Sequence, residues 1–268
     1  MIVVKVGGSE GVDTGSVCAD LAEWVSDGGQ AVLVHGGSHE ANLVSEKLGH
    51  PPRFVTSATG HSSRYTDRQT AEILAMVMAG KISTLLVERL QKLGVDALGL
   101  SGVDGRLLEA KRKPTLRAVE NGKTLLLRGE YSGRVERVNV SLLQSLLGGG
   151  YLPVVAPLAI SREHEVVNVD GDRAAAAIGA SLRADTVVLL TNVPGVLADL
   201  DDEASLIDHI SLDEAEKALE CYARGRMKRK LLGAIESLEA GVGRVIVADG
   251  RSDRPLQRAL AGEGTVIQ

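Results

Sequence analysis

The chain has 268 residues, of which 44% are hydrophobic and 24% are charged, as in a globular protein of one large or two intimate domains. Aromatic residues make up 2% and the formal net charge is -5, which argues against a base-stacking platform and against nucleic-acid binding. The two cysteines, Cys18 and Cys221, lack metal-ligand spacing and are typical of reduced thiols, so we expect a cytoplasmic protein.

Apolar runs alternate with helical patterns along the chain, which predicts an α/β protein. We expect a three-layer αβα sandwich with a largely parallel central sheet. Helices are predicted over Thr14–Asp27, Ser38–Leu48, Thr66–Leu93, Asn139–Leu147, Asp170–Leu182, Ser211–Leu219 and Arg226–Ala240. Buried strands are predicted over residues 2–6, 31–35, 152–156, 186–190 and 243–247.

Residues 104–138 follow a different pattern, with short alternating runs on both sides of Asn121-Gly122. Asn-Gly is a strong signal for a hairpin turn, so we expect hairpins beside or over the main sheet. The chain then divides near Pro157 without an obvious linker. The predicted halves are residues 1–157 and 158–268.

Two predicted strands end in glycine pairs. Lys5 precedes Gly7-Gly8, and the strand over residues 31–35 continues into Gly36-Gly37. Such a pair lets the backbone approach an anion closely, and the helix start that follows offers unpaired N–H groups. Either pair alone more often only shapes a turn. Two pairs, with a lysine just before the first, favour a phosphate cradle and hence a small-molecule kinase.

The second half contains its own polar segments. Asp170 is predicted to cap an alanine-rich helix, and Asp172 falls in the first turn, where a structural and a functional role are about equally supported. The strand over residues 186–190 ends in the glycine-containing loop Thr191–Val196, and ligands of open α/β sheets bind at such strand ends. A basic run over residues 224–230 opposes the helix dipole and favours a nearby anion, although a solvated surface is the ordinary explanation.

In this order and spacing the segments resemble the amino acid kinase family, and acetylglutamate kinase within it, over essentially the whole chain. The matching segments are Lys5–Gly8, His35–Gly37, Arg64 with Thr66-Asp67, Asn168–Asp172, Thr191–Val196 and Gly225–Lys230. Departures from acetylglutamate kinase at Val169–Asp172, Asn192, Arg226 and Arg229, together with Gly49–Phe54, resemble the branch whose acceptor is attached to the small acidic carrier protein LysW. The resemblance implies a carbamate kinase-like fold.

The resemblance also implies a role for each matched residue. Lys5 would contact the transferring phosphoryl group, Lys230 would contact the ATP phosphates, and Asp172 would hold both lysines. Lys228 lies in the same motif, but counting from Met227 favours Lys230. The other implied positions are catalytic Gly8, substrate-binding Gly36, Gly37, Arg64 and Asn168, and ATP-binding Thr191, Asn192, Val193 and Gly195. The three glycines would donate N–H groups, and Mg²⁺ would be held mainly by ATP, with no protein ligands.

The implied reaction is phosphorylation of the side-chain carboxylate of LysW-linked 2-aminoadipate in lysine biosynthesis, with LysW-linked glutamate of arginine biosynthesis as a further acceptor. A carboxylate with a pKa of ~4.3 is already ionised at neutral pH, so no general base is needed. Acetylglutamate kinase, which uses a free acceptor, shares almost every matched residue and stays an alternative. A non-catalytic sensor is weaker, because Lys5, Lys230 and Asp172 are all present.

Two expectations concern partners. An acidic enzyme that binds an acidic carrier needs a local positive surface, and the candidates are Lys111–Lys113, Arg64 with Arg68, and Arg226 with Arg229. Lys111–Lys113 could equally keep an exposed hairpin soluble. We also expect a homodimer through the helix Thr66–Leu93, whose apolar residues could equally be core.

Overall fold

The computed structural model describes residues 1–8, 11–56, 62–120, 123–199, 201–222 and 225–268. The strands are β1 (Ile2–Val6), β2 (Ala31–His35), β3 (Phe54–Thr56), β4 (Ser62–Arg64), β5 (Ala97–Ser101), β6 (Leu108–Glu120), β7 (Lys123–Val138), β8 (Leu152–Ala156), β9 (Leu158–Ser161), β10 (Val166–Asn168), β11 (Thr186–Thr191), β12 (His209–Ile210), β13 (Arg244–Asp249) and β14 (Thr265–Ile267). The α-helices are α1 (Thr14–Ser26), α2 (Ser38–Lys47), α3 (Arg68–Leu74), α4 (Ser83–Lys92), α5 (Val140–Gly148), α6 (Gly171–Leu182), α7 (Leu212–Cys221), α8 (Gly225–Glu239) and α9 (Pro255–Leu260).

An eight-stranded sheet forms the centre of the molecule, in the order β12-β14-β13-β11-β1-β2-β8-β5. Every neighbouring pair in it is parallel except β13 and β14. The predicted α/β fold with a largely parallel central sheet is therefore confirmed. The predicted helices and strands are all present, with their ends shifted by at most a few residues.

Both faces of the central sheet are buried, and successive residues of β1 belong to different cores. Val3 packs in the cluster that contains Ile178 of α6, whereas Val4 packs in the cluster that contains Leu21 of α1. Side chains alternate along a strand, so Lys5 points to the same face as Val3. The fold thus places a lysine between the middle of the sheet and α6.

A second sheet has six strands in the order β4-β3-β6-β7-β10-β9, and β6 also pairs with β9. Four of these strands, β6, β7, β10 and β9, therefore close into a ring. The hairpin expected over residues 104–138 is the β6–β7 pair, whose predicted turn Asn121-Gly122 lies outside the described residues. The ladder shifts register between Lys113 and Thr115, where Pro114 has no N–H group to donate.

The longest helical stretch runs from Arg68 to Lys92 and contains α3, a π-helical segment over Ala75–Ile82, and α4. In the described chain it is the one helix long and apolar enough to cross a membrane by length and composition. Its residues Ile73, Leu74 and Leu90 are buried against the rest of the molecule, so most of its apolar character is explained by core packing.

Candidate active site

A cleft of about 710 Å³ lies at the carboxyl ends of the central strands β11, β1 and β2. This edge of a parallel sheet is where ligands of open α/β folds bind. All the residues to which the sequence assigned a role line the cleft, namely Lys5, Gly8, Gly36, Gly37, Arg64, Asn168, Asp172, Thr191, Asn192, Val193, Gly195 and Lys230. The structure therefore brings together residues that are far apart in the chain.

The floor of the cleft is a cluster of one carboxylate and two ammonium groups. Lys5 Nζ lies 2.6 Å from Asp172 Oδ1, and Lys230 Nζ donates a hydrogen bond of 2.9 Å to Asp172 Oδ2. All three residues are buried, with 7%, 6% and 9% of Lys5, Lys230 and Asp172 exposed. Two positive charges against one negative charge leave a buried cationic site, and a bound anion would neutralise it.

The charges in this cluster shift one another's pKa values. Burial alone would raise the pKa of Asp172, but the charges of Lys5 and Lys230 outweigh it and hold the pKa far below the ordinary 3.8. Burial lowers the pKa of Lys230 below the ordinary 10.5, and the attraction of Asp172 opposes that decrease. Asp172 is therefore a fixed negative charge at neutral pH.

Local structure on α6 sets the position of Asp172. The side chain of Asp170 accepts hydrogen bonds from the N–H groups of Asp172, at 3.0 Å, and Arg173, at 3.1 Å, so the predicted N-cap is confirmed. Arg173 Nη2 donates a hydrogen bond of 2.7 Å to Glu236 Oε1 on α8. This link fixes the two helices that carry Asp172 and Lys230 relative to each other.

The glycine turns after β1 and β2 pack directly on each other. A Cβ added to Gly8 would lie 2.0 Å from the backbone nitrogen of Gly37, and one added to Gly36 would lie 2.4 Å from the backbone nitrogen of Gly8. Glycine is required here because the two turns approach so closely. The close contact places the two glycine turns side by side, and both line the cleft.

The hydrogen bonds of these turns correct one expectation. The N–H of Gly36 donates to Val6 O at 2.9 Å, so the structure does not support Gly36 as a donor to a ligand. Among the described residues, no acceptor is hydrogen-bonded to the N–H of Gly8 or of Gly37. His35, just before this turn, has its pKa lowered by burial to about 4 and is neutral at pH 7.

Arg64 lines the cleft on the side of the second sheet. Its Nη2 donates hydrogen bonds to Asn42 Oδ1 and Ser38 O, and its guanidinium lies 5.2 Å from the ring centroid of Phe54. Its Nη1 is buried and has no hydrogen-bond partner among the described residues. Because an unpaired buried donor is costly, a carboxylate bound at this point would be favoured.

Asn168 and the loop after β11 both line the cleft and follow strands of different sheets. Asn168 ends β10 and pairs with Ser132 of β7, within the second sheet. Thr191, the last residue of β11, is buried, whereas Asn192 is exposed. A Cβ added to Gly195 would lie 2.6 Å from both Leu206 Cδ1 and Thr265 Oγ1, so packing beneath the loop accounts for this glycine.

The basic run at the start of α8 contributes one lysine to the cleft. Lys230 is buried and lines the cleft, whereas Lys228 is half-buried and is not among the lining residues. Arg224 lies outside the described residues, as do the side chains of Arg226 and Arg229.

The β6–β7 hairpin supplies lining residues that the sequence did not predict. They include Lys113, Leu116 and Arg134. No motif marks them, and the only signal was the basic character of Lys111–Lys113. Within that segment Arg112 forms an ion pair with Glu165 and stacks 3.6 Å from the ring centroid of Tyr131, so Arg112 is not part of a free positive surface.

Comparison with known proteins gives a consistent result. The model of the amino acid kinase family matches residues 1–249. A LysW-aminoadipate kinase of Deinococcus radiodurans is 58% identical over 267 residues, which cover 100% of this chain and 91% of that protein. A LysW-aminoadipate kinase of Thermus thermophilus is 51% identical over 269 residues, with 100% of both chains covered.

Among solved structures, N-acetylglutamate synthase of Neisseria gonorrhoeae, complexed with coenzyme A and N-acetyl-glutamate, matches with a TM-score of 0.79 and 26% identity. The match covers 99% of this chain but only 58% of that longer protein. The fold, the cleft and the sequence matches agree, and the chain belongs to the amino acid kinase family.

Proposed function

We propose that this kinase transfers the γ-phosphoryl group of ATP to the side-chain carboxylate of 2-aminoadipate, whose amino group is attached to the carrier protein LysW. The observation that carries the proposal is the cluster of Lys5, Asp172 and Lys230 at the floor of the cleft. Two relatives that match this chain over its whole length are named LysW-aminoadipate kinases, and this supports the choice of acceptor. The product is an acyl phosphate, an intermediate of lysine biosynthesis.

The chemistry requires charge neutralisation and alignment rather than a base. A carboxylate oxygen of the acceptor attacks the γ-phosphorus, the bond from phosphorus to the β,γ-bridging oxygen breaks, and ADP leaves. No proton is removed, because the acceptor is already ionised. Among the described cleft-lining residues, the carboxylates are Asp170, which caps α6, and Asp172, which is paired with two lysines.

Each lysine would neutralise a different part of the reacting group. Lys5, on β1 and shortly before Gly8 in the chain, would contact the transferring phosphoryl group, and Lys230, on α8, would contact the phosphates of ATP. Asp172 would keep the two ammonium groups in place before the substrates arrive, so little reorganisation is needed during the reaction. Free N–H groups of Gly8 and Gly37 would add hydrogen bonds to phosphoryl or acceptor oxygens.

Magnesium would enter with ATP and be held mainly by its phosphate oxygens. Both carboxylate oxygens of Asp172 are already within 2.9 Å of a lysine nitrogen, which leaves that residue poorly suited to bind a metal directly. The ion would supply further charge neutralisation on the phosphates.

The two substrates would occupy different sides of the cleft. The acceptor would bind near Arg64 and Asn168, with its carboxylate satisfying the unpaired Nη1 of Arg64. ATP would lie against the loop over residues 191–195. In this proposal residues 1–157 form most of the acceptor half and 158–268 most of the ATP half. Strands β9 and β10 follow Pro157 but pair with β6 and β7, so in this proposal the acceptor half would extend to about Asn168.

The test is phosphorylation of three acceptors in parallel: LysW-linked 2-aminoadipate, LysW-linked glutamate and free N-acetylglutamate, with the acyl phosphate trapped as a hydroxamate. We expect turnover with the carrier-linked acceptors. The ratio of the turnover rates with LysW-linked 2-aminoadipate and LysW-linked glutamate would show whether the enzyme serves lysine or arginine biosynthesis. Preference for free N-acetylglutamate would make the protein an acetylglutamate kinase. No turnover with any acceptor would favour a sensor, and a Lys5→Met variant controls for contaminating kinases.

We further propose that the protein works in the cytoplasm as a homodimer. Met76 and Leu85, on the long helix from Arg68 to Lys92, are 56% and 51% exposed. Exposed apolar side chains that form one contiguous patch are typical of a surface that another subunit covers, and in this proposal Met76 and Leu85 belong to such a patch.

A further inference from the structure

The β6–β7 hairpin continues beyond the bulge at Pro114 as an arm, formed by residues 115–120 and 123–128. In this antiparallel pair Arg117 lies opposite Leu126, and Thr115 lies opposite Arg128. Opposite residues, and residues two positions along, share a face of the ladder. Arg117, Leu126 and Arg128 therefore lie on one face, and all three are exposed.

Two arginines of the arm lack ion-pair partners among the residues that the structure describes. Elsewhere most exposed arginines are paired, as Arg137 is with Glu109 and Arg162 with Glu136. Arg117 and Arg128 form no ion pair with any residue that the structure describes. The same holds for Lys111 at the base of the arm. In a chain with a net charge of -5, this is a local positive surface.

A large apolar side chain is exposed between these charges. Leu126 is 54% exposed on the same face as Arg117 and Arg128, whereas Leu125 lies opposite Ala118 on the other face. If the charges served only to keep a hairpin soluble and unpaired, lysines and arginines alone would suffice. An exposed leucine between unpaired arginines is instead typical of an interface, in which an apolar centre is surrounded by charges that select the partner.

The arm is also fixed next to the acceptor side of the cleft. At the base of the hairpin, Lys113 and Leu116 line the cleft. The hydroxyl of Tyr65, the residue after Arg64, donates a hydrogen bond to Arg128 O, and Val119 of the arm pairs with Thr56 of β3. A protein that rests on the arm would therefore sit beside the cleft in which its attached acceptor must react.

We propose that the exposed face of the arm, formed by Arg117, Leu126 and Arg128, docks an acidic carrier protein and so delivers a tethered acceptor into the cleft. The proposal rests on the proposed function, because the occupant is the carrier that bears the 2-aminoadipate. Opposite charges would speed the encounter, and this contribution weakens as salt screens it. ATP, which in the proposed function binds against the loop over residues 191–195, would not touch the arm.

The test compares steady-state kinetics of the wild type and of Arg117→Glu/Arg128→Glu with LysW-linked 2-aminoadipate at low and high salt. We expect the charge reversal to raise KM for the carrier-linked acceptor by about 10-fold or more at low salt, and less at high salt. KM for ATP and kcat should stay within about 2-fold of the wild type. An Arg117→Gln/Arg128→Gln variant removes the charges without reversing them and should give a smaller increase.

A matched control carries the same change in charge elsewhere. Arg183 and Lys217 are exposed and lie outside both the arm and the cleft, so Arg183→Glu/Lys217→Glu should behave as the wild type. Equal KM values for the arm variants and the control would overturn the docking surface while leaving the proposed function intact. Absence of turnover in the wild type with the carrier-linked acceptor would overturn the proposed function and, with it, the occupant of the arm.

Discussion

At the scale of single residues, Asp172 has the most demanding role, because it separates two lysines that would otherwise repel each other in a buried site. An Asp172→Asn variant keeps the size of the side chain but leaves two buried ammonium groups without a counter-ion. Removing one partner of a buried ion pair costs about 3–5 kcal/mol.

We therefore expect Asp172→Asn to lower the free energy of unfolding in urea by a few kcal/mol. Misplaced lysines should also reduce kcat by on the order of 100-fold. A variant with the kcat and the stability of the wild type would show that Asp172 does not hold the lysines in the reactive arrangement. Measuring unfolding at saturating ATP adds a second check, because the phosphates should replace part of the missing negative charge.

Lys230 gives a prediction for the pH dependence of the reaction. Its folded-state pKa lies below 10.5 because the side chain is buried, so its charge is lost at a lower pH than that of an ordinary lysine. The alkaline limb of kcat/KM should therefore lie below pH 10.5. A Lys230→Arg variant keeps its positive charge throughout this pH range. It should be less active, because a guanidinium group differs in shape from an ammonium group, but its kcat/KM should lack the alkaline limb.

The lowered pKa of Lys230 also makes the free energy of unfolding depend on pH. Between the lowered pKa and 10.5 the unfolded chain binds more protons at Lys230 than the folded chain does, so the contribution of Lys230 to the free energy of unfolding rises with pH in that window. An alkaline limb that is identical in the wild type and in Lys230→Arg would assign the titration to another group.

At the scale of elements, the contact between the two glycine turns predicts a sharp effect of one methyl group. In Gly8→Ala the new Cβ would meet the backbone of Gly36 and Gly37, which cannot move aside as a flexible side chain could. The turns would separate, and we expect kcat/KM to fall by at least about 100-fold. Gly233→Ala, on α8, is the control, because a Cβ there meets nothing within 4 Å.

The elements that the sequence predicted well are those whose pattern is set by local burial. Strands such as β1 and β2 are buried on both faces and form nearly continuous apolar runs in the sequence. Short elements were not predicted, among them β14, with three residues, and α9, with six. Strand β5 was missed as well, since it contains Gly99 and is only partly buried.

The second sheet could be predicted only in part, because its closure depends on pairing between distant residues. The hairpin of β6 and β7 follows from local alternation, whereas the pairing of Glu109 with Ile160 joins segments that are far apart in the chain. The lysines and Asp172 were predicted because each belongs to a motif. Lys113 and Leu116 were not, because only the folded hairpin places them at the cleft.

At the scale of the whole molecule, the exposed face of the long helix predicts how two copies associate. Exposed positions recur every four residues, at Glu72, Met76, Gly80, Thr84 and Glu88. Ile73, Leu74 and Val77, which the sequence left open between core and interface, are buried. Leu85, next to Thr84, is also exposed. Met76 and Leu85, the two large apolar residues of this face, therefore lie on either side of Gly80 along the helix.

A glycine at the middle of an exposed helix face would allow a partner helix to approach closely. A Cβ at Gly80 meets nothing within 4 Å in the single chain, so the space there is open for another subunit. Met76 and Leu85 on either side would supply the apolar contact, worth roughly 25 cal/mol for each Å² removed from water. The same face carries Glu72 and Glu88, which would lie at its rim.

We therefore expect light scattering after size exclusion to give twice the chain mass of 28.2 kDa for the wild type. Met76→Glu/Leu85→Glu should give a single chain mass, because it places two charges in the interface where desolvation is costly. Glu72→Gln/Glu88→Gln, at the rim of the same face, should remain a dimer. A monomeric or hexameric wild type would overturn the homodimer. A dimeric Met76→Glu/Leu85→Glu variant would show that this helix is not the dimer interface, and the exposure of Met76 and Leu85 would then need another explanation.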